Sequence, residues 1–108
     1  MIRIDIFRNN KDMIVAYKVD GHAGYGEEGN DIVCSAVSMI TQAPIYGLKY
    51  HLKCEFEQKV DQENGAFSIS LRCEPNEVTQ GIFVTMLYGL QSIERQYSKY
   101  VRIKEHRR

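Results

Sequence analysis

Long apolar runs, an excess of charge of one sign and abundant cysteine are all missing from this sequence. Its 108 residues contain three cysteines, and 14 Lys and Arg balance 14 Asp and Glu, so the formal net charge is zero. Few cysteines exclude a disulfide-dense scaffold, and 44% hydrophobic with 26% charged residues excludes a disordered chain. Because balanced charge gives no long-range attraction to phosphates or anionic lipids, we expect no direct nucleic-acid partner.

No segment is apolar enough for a membrane span, which takes about 20 mostly apolar residues. The richest stretch is interrupted four times, by Ser38, Gln42, Pro44 and Lys49. Residues 1–5 alternate apolar and polar types, which is not the opening of a signal peptide. We therefore expect a cytoplasmic protein with no membrane partner, whose cysteines are thiols.

Metal-binding and cofactor motifs are also missing. There is no Cys-x-x-Cys pair, and the three histidines, His22, His51 and His106, are scattered along the chain. We therefore expect neither a metal nor a cofactor. The length suits one domain, and the sequence shows no linker, internal repeat or low-complexity segment.

Residues 2–7 and 13–19 alternate apolar and polar side chains, which predicts a first β-hairpin. Asn9-Asn10 lies between them and favours a turn, because asparagine tolerates left-handed backbone angles. A two-residue turn there pairs apolar residues throughout: Ile6 with Met13, Ile4 with Val15 and Ile2 with Tyr17. Pattern and turn therefore predict the same register.

Asn64-Gly65 predicts a second hairpin, because this dipeptide is the strongest short-range hairpin signal. The register built outward from it pairs Val60 with Ile69, Gln58 with Leu71 and Phe56 with Cys73. In that register Cys54 and Cys73 are diagonal neighbours, and the bases of their side chains are about 7–8 Å apart. That is too far for an easy disulfide. We predict that both are small core side chains with free thiols.

Two long helices are predicted. The first runs from Ile32 to about Leu52, with Asp31 as N-cap and an interruption at Pro44. It is apolar nearly all round, which predicts burial on most sides or packing on a partner subunit. The second is amphipathic, covers residues from about 75 to 100, and precedes a short closing strand. The order predicts an α+β fold, a single β-β-α-β-β-α-β domain with about five strands and two long helices.

Residues 21–31 form a glycine-rich connection that contains four of the eight glycines. Long loops in compact domains tend to be functional. His22 begins this loop, and Cys34 lies in the first turn of the following helix, where the partial positive charge would stabilise a thiolate. A histidine nearby would supply acid–base chemistry, and N–H groups of the same helical turn could receive an oxyanion. Spacing alone leaves open a structural cysteine with a solvated histidine.

Two further side chains lie close to Cys34 in sequence. Asp31 caps the helix, although its negative charge would oppose thiolate formation. Ser38 follows one helical turn later on the same face, where it could bond the thiolate or orient a substrate. The alternative, a hydroxyl bonded to a preceding helix carbonyl, stays open.

Two blocks of sequence, residues 19–23 (Val-Asp-Gly-His-Ala) and 29–38 (Gly-Asn-Asp-Ile-Val-Cys-Ser-Ala-Val-Ser), resemble the ribosomal-processing cysteine proteases of Firmicutes and relatives. The resemblance extends over nearly the whole chain, and Ser35 stands where family members usually have alanine. It implies a cysteine endopeptidase with a dyad of His22 and Cys34. It also assigns supporting roles to three residues, Gly21, Asp31 and Ser38.

The resemblance further implies a substrate and an assembly. Family members remove the N-terminal extension of a large-subunit ribosomal protein, the L-twenty-seven protein, by cutting after aromatic residues, and they form homodimers. Residues 1–108 would then be one cysteine protease domain. Four aromatic residues are candidates for a substrate pocket: Tyr25, Tyr46, Tyr50 and Phe83. The alternatives are a non-catalytic ribosome- or RNA-associated binding module and a thiol redox sensor.

Overall fold

Five strands and two long helices alternate along the chain in the order β-β-α-β-β-α-β, which confirms the predicted α+β fold. The computed structural model describes residues 1–27 and 31–108. The strands are β1 (Ile2–Arg8), β2 (Ile14–Asp20), β3 (Phe56–Asp61), β4 (Ala66–Leu71) and β5 (Val101–Arg107). The helices are α1 (Ile32–Tyr46), which continues as a π-helical segment (Gly47–Leu52), and α2 (Glu77–Gln96).

The strands form one mixed sheet in the order β3-β4-β2-β1-β5, in which only the β1–β5 pair is parallel. Strand side chains on one face are buried against the helices, as shown by Ile4, Tyr17 and Ile69 at 0% exposure. This face and the inner sides of α1 and α2 form one apolar core. Among the residues described, no helix has both the length and the apolar character that crossing a membrane requires.

The predicted register of the first hairpin is wrong by four residues, because Ile6 pairs with Tyr17 instead of Met13. Side chain–backbone bonds lengthen the turn: Asn9 Oδ1 accepts hydrogen bonds from the Lys11 and Met13 N–H groups, at 2.9 and 3.0 Å. An even shift preserves which side chains face inward, so the apolar pattern alone could not detect the error.

The second hairpin is shifted by two residues, because Val60 pairs with Phe67 instead of Ile69. Four residues, 62–65, connect the strands instead of two, and Asp61 Oδ1 accepts a hydrogen bond from the Asn64 N–H at 3.2 Å. This shift brings Cys54 directly opposite Cys73, and the two form a disulfide with a Cα–Cα distance of 5.5 Å. The prediction that both are free thiols is therefore wrong.

The first helix begins where the sequence predicts. Asp31 Oδ1 accepts hydrogen bonds from the Val33 and Cys34 N–H groups, both at 3.0 Å. The predicted interruption at Pro44 is a change of helix type three residues later, where the π-helical segment begins. Within one chain, α1 buries one face and leaves Ile32 and Met39 more than half exposed, so of the two predicted alternatives, packing on a partner subunit stays a prediction.

The closing strand is longer than predicted and forms an edge of the sheet. β5 pairs with all seven residues of β1, from Ile2 opposite Val101 to Arg8 opposite Arg107. Polar contacts tie its far end to β1, including His106 Nε2 at 2.6 Å from Asp5 Oδ1. The last residues of the chain are thus part of the sheet.

Candidate active site

A cavity of about 300 Å³ opens where the first turns of α1, the segment after β2 and the β3–β4 turn meet. We call it the Cys34 cavity. Four of the five sequence-predicted site residues line it: Gly21, His22, Cys34 and Ser38. The fifth, Asp31, is not among the lining residues and caps α1. The fold thus brings together residues that are up to 17 positions apart. The Gly29-Asn30 part of the recognised block lies outside the described residues.

Cys34 is half-buried, and its sulfur is held by the chain that follows His22. The Ala23 N–H donates a hydrogen bond to Cys34 Sγ at 3.2 Å. This places the backbone next to His22 directly against the sulfur. Sequence reasoning could not identify Ala23, because every residue type except proline supplies the same N–H group.

The pKa of the Cys34 thiol is raised above its ordinary value. Burial is the largest cause, and the negative charge of Asp31 adds to it, whereas the Ala23 N–H acts in the opposite direction. This direction is opposite to the sequence expectation of a thiolate stabilised by the helix start. Removing water from around the sulfur costs the anion more than the bonded N–H recovers.

Alkylation of the free protein with iodoacetamide tests this pKa. Cys54 and Cys73 are bonded to each other, so labelling reports on Cys34. We expect the labelling rate to rise with pH about a midpoint above that of ordinary cysteine, about 8.5. Asp31→Asn removes the negative charge but keeps a capping oxygen, so its midpoint should lie at lower pH than that of the wild type. A wild-type midpoint well below 8.5 would contradict the raised pKa of Cys34.

Asp31 joins the loop to the helix through a nearly buried carboxylate. Besides capping α1 with Oδ1, it accepts a hydrogen bond from the Tyr25 N–H on Oδ2 at 3.0 Å. The pKa of Asp31 is lowered, above all by the N–H of Cys34. The N–H of Ser35 also donates to the Asp31 carbonyl, at 3.1 Å. The N–H groups of residues 33–35 are therefore all engaged in the free protein, and the expectation that N–H groups of this helical turn receive an oxyanion stays a prediction.

His22 lines the same cavity but is exposed and rests against the β3–β4 turn. A Cβ on Gly65 would lie 2.8 Å from His22 Nε2. The His22 ring can therefore take this position because residue 65 has no side chain. Among the residues that the structure describes, no hydrogen bond joins His22 to Cys34. Such pairs often tighten only when substrate binds.

Gly21 fixes the backbone directly before His22. Its φ is +93°, which side chains rarely adopt, and a Cβ there would lie 2.5 Å from the carbonyl oxygen of Met1. Glycine is therefore required twice over, by backbone angle and by space. This gives a physical reason for the supporting position that the resemblance assigns to Gly21.

Gly21→Ala should lower both stability and activity, because the clash with Met1 displaces the peptide that carries His22. Gly24→Ala is the matched control: φ is +71°, but nothing lies within 4 Å of the added carbon. We expect a loss of about 1–3 kcal/mol from backbone strain in each variant. Peptidase activity should fall at least about tenfold further in Gly21→Ala than in Gly24→Ala. Misplacing His22 need raise the activation free energy by only roughly 1.4 kcal/mol to have this effect. Equal activities, after correction for the folded fraction from thermal melts, would contradict this role.

Within the described part of the chain, Ser38 donates no hydrogen bond to a helix carbonyl, the alternative that the sequence left open. Its Oγ instead accepts a hydrogen bond from Gln42 Nε2 at 2.7 Å. Gln42, which sequence reasoning missed as a site residue, also lines the Cys34 cavity. Its spacing of four from Ser38 was the available signal.

A second cavity of about 540 Å³ adjoins the first, and we call it the aromatic groove. It shares Gln42, Val60 and Phe67 with the Cys34 cavity and is otherwise lined by Ile45, Tyr46, Lys49, Tyr50, Phe56 and Gln58. Two of the aromatic candidates, Tyr46 and Tyr50, are therefore placed beside the site. The other two are not: Phe83 is a fully buried core residue, and Tyr25 packs edge-on against Tyr97 and Tyr100.

A half-buried cysteine and a histidine in one cavity beside an apolar groove can support acyl transfer to a thiol. Among the described residues, no cluster of three or more His, Cys, Asp or Glu could hold a metal ion. The sequence model of the family described as cysteine protease Prp matches residues 1–102. This chain belongs to the cysteine protease Prp family. It is accordingly an enzyme of the thiol protease class, not a binding module without catalysis.

The Prp relatives span the same length as this chain. The ribosomal processing cysteine protease Prp of Staphylococcus aureus is 32% identical over 103 residues, which are 95% of this chain and 97% of the relative. That of Bacillus subtilis is 26% identical over 107 residues, covering 95% and 96%. The crystal structure of the S. aureus essential protease with a covalently linked product peptide superimposes with a TM-score of 0.91 at 31% identity, covering 97% of this chain and 99% of that one.

Proposed function

We propose that residues 1–108 form one cysteine protease domain that acts in the cytoplasm as an endopeptidase. Its substrate is the N-terminal extension of a large-subunit ribosomal protein of the L-twenty-seven type, cut after aromatic residues. The observation that carries the proposal is the Cys34 cavity, which contains His22 and Cys34 and opens onto the aromatic groove. The names of the relatives, which are ribosomal processing proteases, support the substrate class.

The first step uses Cys34 and His22, which both line the Cys34 cavity. As the peptide binds, His22 takes the proton of Cys34, and the sulfur attacks the scissile carbonyl carbon. The carbonyl oxygen then carries negative charge. Since the N–H groups of residues 33–35 are engaged, the Ala23 N–H, 3.2 Å from the sulfur, is a donor that can turn from sulfur to oxyanion.

The second half of the reaction returns the enzyme to its starting state. The protonated His22 gives its proton to the departing amine, the C–N bond breaks, and a thioester to Cys34 remains. Water, deprotonated by His22, attacks the thioester carbon and releases the carboxylate product. The proton then returns to the sulfur. S. aureus structures with a substrate peptide and with a covalently linked product peptide support chemistry of this kind.

The substrate assignment is tested with a synthetic peptide that carries the N-terminal extension and its pair of aromatic residues. Mass spectrometry should show one new amino terminus directly after the aromatic pair. A matched peptide with alanine in place of both aromatic residues should be cut at least about tenfold more slowly, because each buried aromatic side chain contributes about 1.5–3 kcal/mol. Equal rates for the two peptides would refute the aromatic specificity.

We also propose that the protein is a homodimer. An apolar groove of about 590 Å³ runs between α1 and α2, with Ile40, Pro44, Ile82 and Met86 in its walls. The same two helices also carry three exposed apolar side chains, Met39, Val78 and Tyr88. Sedimentation equilibrium should give twice the chain mass of 12.5 kDa; a monomer at micromolar concentration would refute it.

A further inference from the structure

We infer that Gln42 is a positioning residue for peptide binding. Its side-chain amide holds the Ser38 hydroxyl so that the hydroxyl proton is offered to a backbone carbonyl of the bound peptide. The inference rests on the proposed function, because it deepens how the same site holds its substrate. Gln42 itself acts through Ser38 and need not touch the reacting atoms.

The placement of three residues on one helix is the first step of the argument. Cys34, Ser38 and Gln42 follow one another at intervals of four, so they share one face of α1. All three line the Cys34 cavity. Gln42 also lines the aromatic groove, so it stands where the two cavities join. A bound peptide would place an aromatic side chain in the groove and its scissile bond at Cys34. Such a peptide must pass over the helix face that carries Ser38 and Gln42.

The direction of one hydrogen bond is the second step. Serine and threonine inside helices commonly donate to the carbonyl four residues earlier. Thr41 does so to the Val37 carbonyl and Thr85 to the Gly81 carbonyl, both at 2.7 Å. Ser38 differs from these two threonines, because its oxygen accepts from Gln42 Nε2 at 2.7 Å. Ser92 accepts from Gln96 in the same way, but it lies outside both cavities. Within the described part of the chain, the Ser38 hydroxyl donates to no other group, so its proton is free for a ligand.

Spacing along the helix and along a peptide is the third step. Four helical residues rise about 6 Å. An extended peptide advances about 3.3 Å per residue. Ser38 therefore lies about two peptide residues from Cys34, at a distance where a backbone carbonyl can accept its proton. A backbone contact of this kind would fix the register of the peptide without reading its sequence.

The test compares Gln42 with a matched pair elsewhere in the chain. Gln96 Nε2 donates to Ser92 Oγ at 3.3 Å with the same spacing of four, on the exposed side of α2 and outside both cavities. Gln42→Met keeps the length of the side chain and removes the donor, and Gln96→Met does the same at the control site. We expect Gln42→Met to lower kcat/KM for the aromatic peptide about five- to tenfold, mostly through KM, which matches one net hydrogen bond. Gln96→Met should stay within about twofold of the wild type.

Three further variants test the route through Ser38. Ser38→Ala should cost the same five- to tenfold as Gln42→Met, and the double variant should be no worse than Ser38→Ala, since both changes remove one interaction. Gln42→Glu can accept the Ser38 proton but cannot donate, so it should be at least as impaired as Gln42→Met. Additive losses in the double variant, or wild-type activity of Gln42→Met or Gln42→Glu, would overturn the inference.

Two readouts separate positioning from damage and from failure of the proposed function. Alkylation of Cys34 by iodoacetamide should be unchanged in Gln42→Met; a parallel loss would mean a disturbed helix and would overturn the inference. Binding of the fluorescently labelled peptide is measured in a Cys34→Ala background. If adding Gln42→Met weakens peptide binding, the inference is upheld, even where the wild type fails to cleave the peptide. If binding is unchanged, the inference is overturned but the proposed function is not. A peptide that is neither cleaved nor bound refutes both.

Discussion

Cys34→Ala should abolish peptide cleavage, lowering kcat by at least about 10³-fold, because no other described side chain in the cavity offers a nucleophile of comparable strength. The measurement is mass-spectrometric cleavage of the ribosomal protein's N-terminal segment under single-turnover conditions. His22→Ala should lose about 10²–10⁴-fold, the usual contribution of a positioned acid–base group. Cys34 is half-buried, so the alanine variant should fold like the wild type.

Controls separate loss of chemistry from loss of structure. Cys34→Ser keeps the shape of the side chain and should be nearly as inactive, because a hydroxyl is far harder to ionise than a thiol. His106→Ala removes a histidine bound to Asp5 at the sheet edge and should leave the rate within about twofold. Retained cleavage by Cys34→Ala would refute the nucleophile assignment, and an equal loss in His106→Ala would refute the specific role of His22.

Opening the Cys54–Cys73 disulfide is expected to have the largest effect on stability. The bridge closes a segment of 19 residues that contains β3 and β4. Loss of a link of this length costs about 3 kcal/mol in the chain-entropy treatment. For a domain of this size, that corresponds to a Tm lower by roughly 12–24 °C.

The disulfide is tested by calorimetry of the double variant Cys54→Ser/Cys73→Ser and of the wild type with and without dithiothreitol. Cys34→Ala serves as control, because it removes the one thiol outside the bridge and should respond to reductant as the wild type does. Phe56, two residues beyond Cys54, lines the aromatic groove, so KM should also rise when the link is broken. A Tm that is insensitive to both reductant and substitution would contradict the bridge.

Features governed by local sequence were predictable. The alternation of Ile2, Ile4 and Ile6 fixed an inward face, and Asp31 marked the start of α1, because both depend on nearest neighbours. Strand registers were not predictable, because carboxylate and amide side chains in the turns, those of Asn9 and Asp61, set the loop lengths. An error of two residues in the second hairpin was enough to hide a disulfide.

The candidate site shows the same division. His22 and Cys34 could be proposed from the sequence because they stand in a recognisable block, and the fold places both in one cavity. The direction in which the Cys34 pKa is shifted could not be predicted, because it depends on burial and on the charge of Asp31 after folding. The roles of Ala23 and Gly65 also needed the fold, since both arise from contacts between segments that are distant in sequence.

The parallel pairing of β1 with β5 has a practical consequence for attaching tags and fusion partners. The first residues of the chain lie beside the Cys34 cavity, where the Met1 carbonyl packs on Gly21 and Ile2 lines the cavity. The last residues lie at the opposite end of the same strands, beside Arg8. Seven residues of strand separate the two by roughly 20 Å. Affinity handles joined to the carboxyl terminus will therefore stay clear of the cleft that a tag on the amino terminus would crowd.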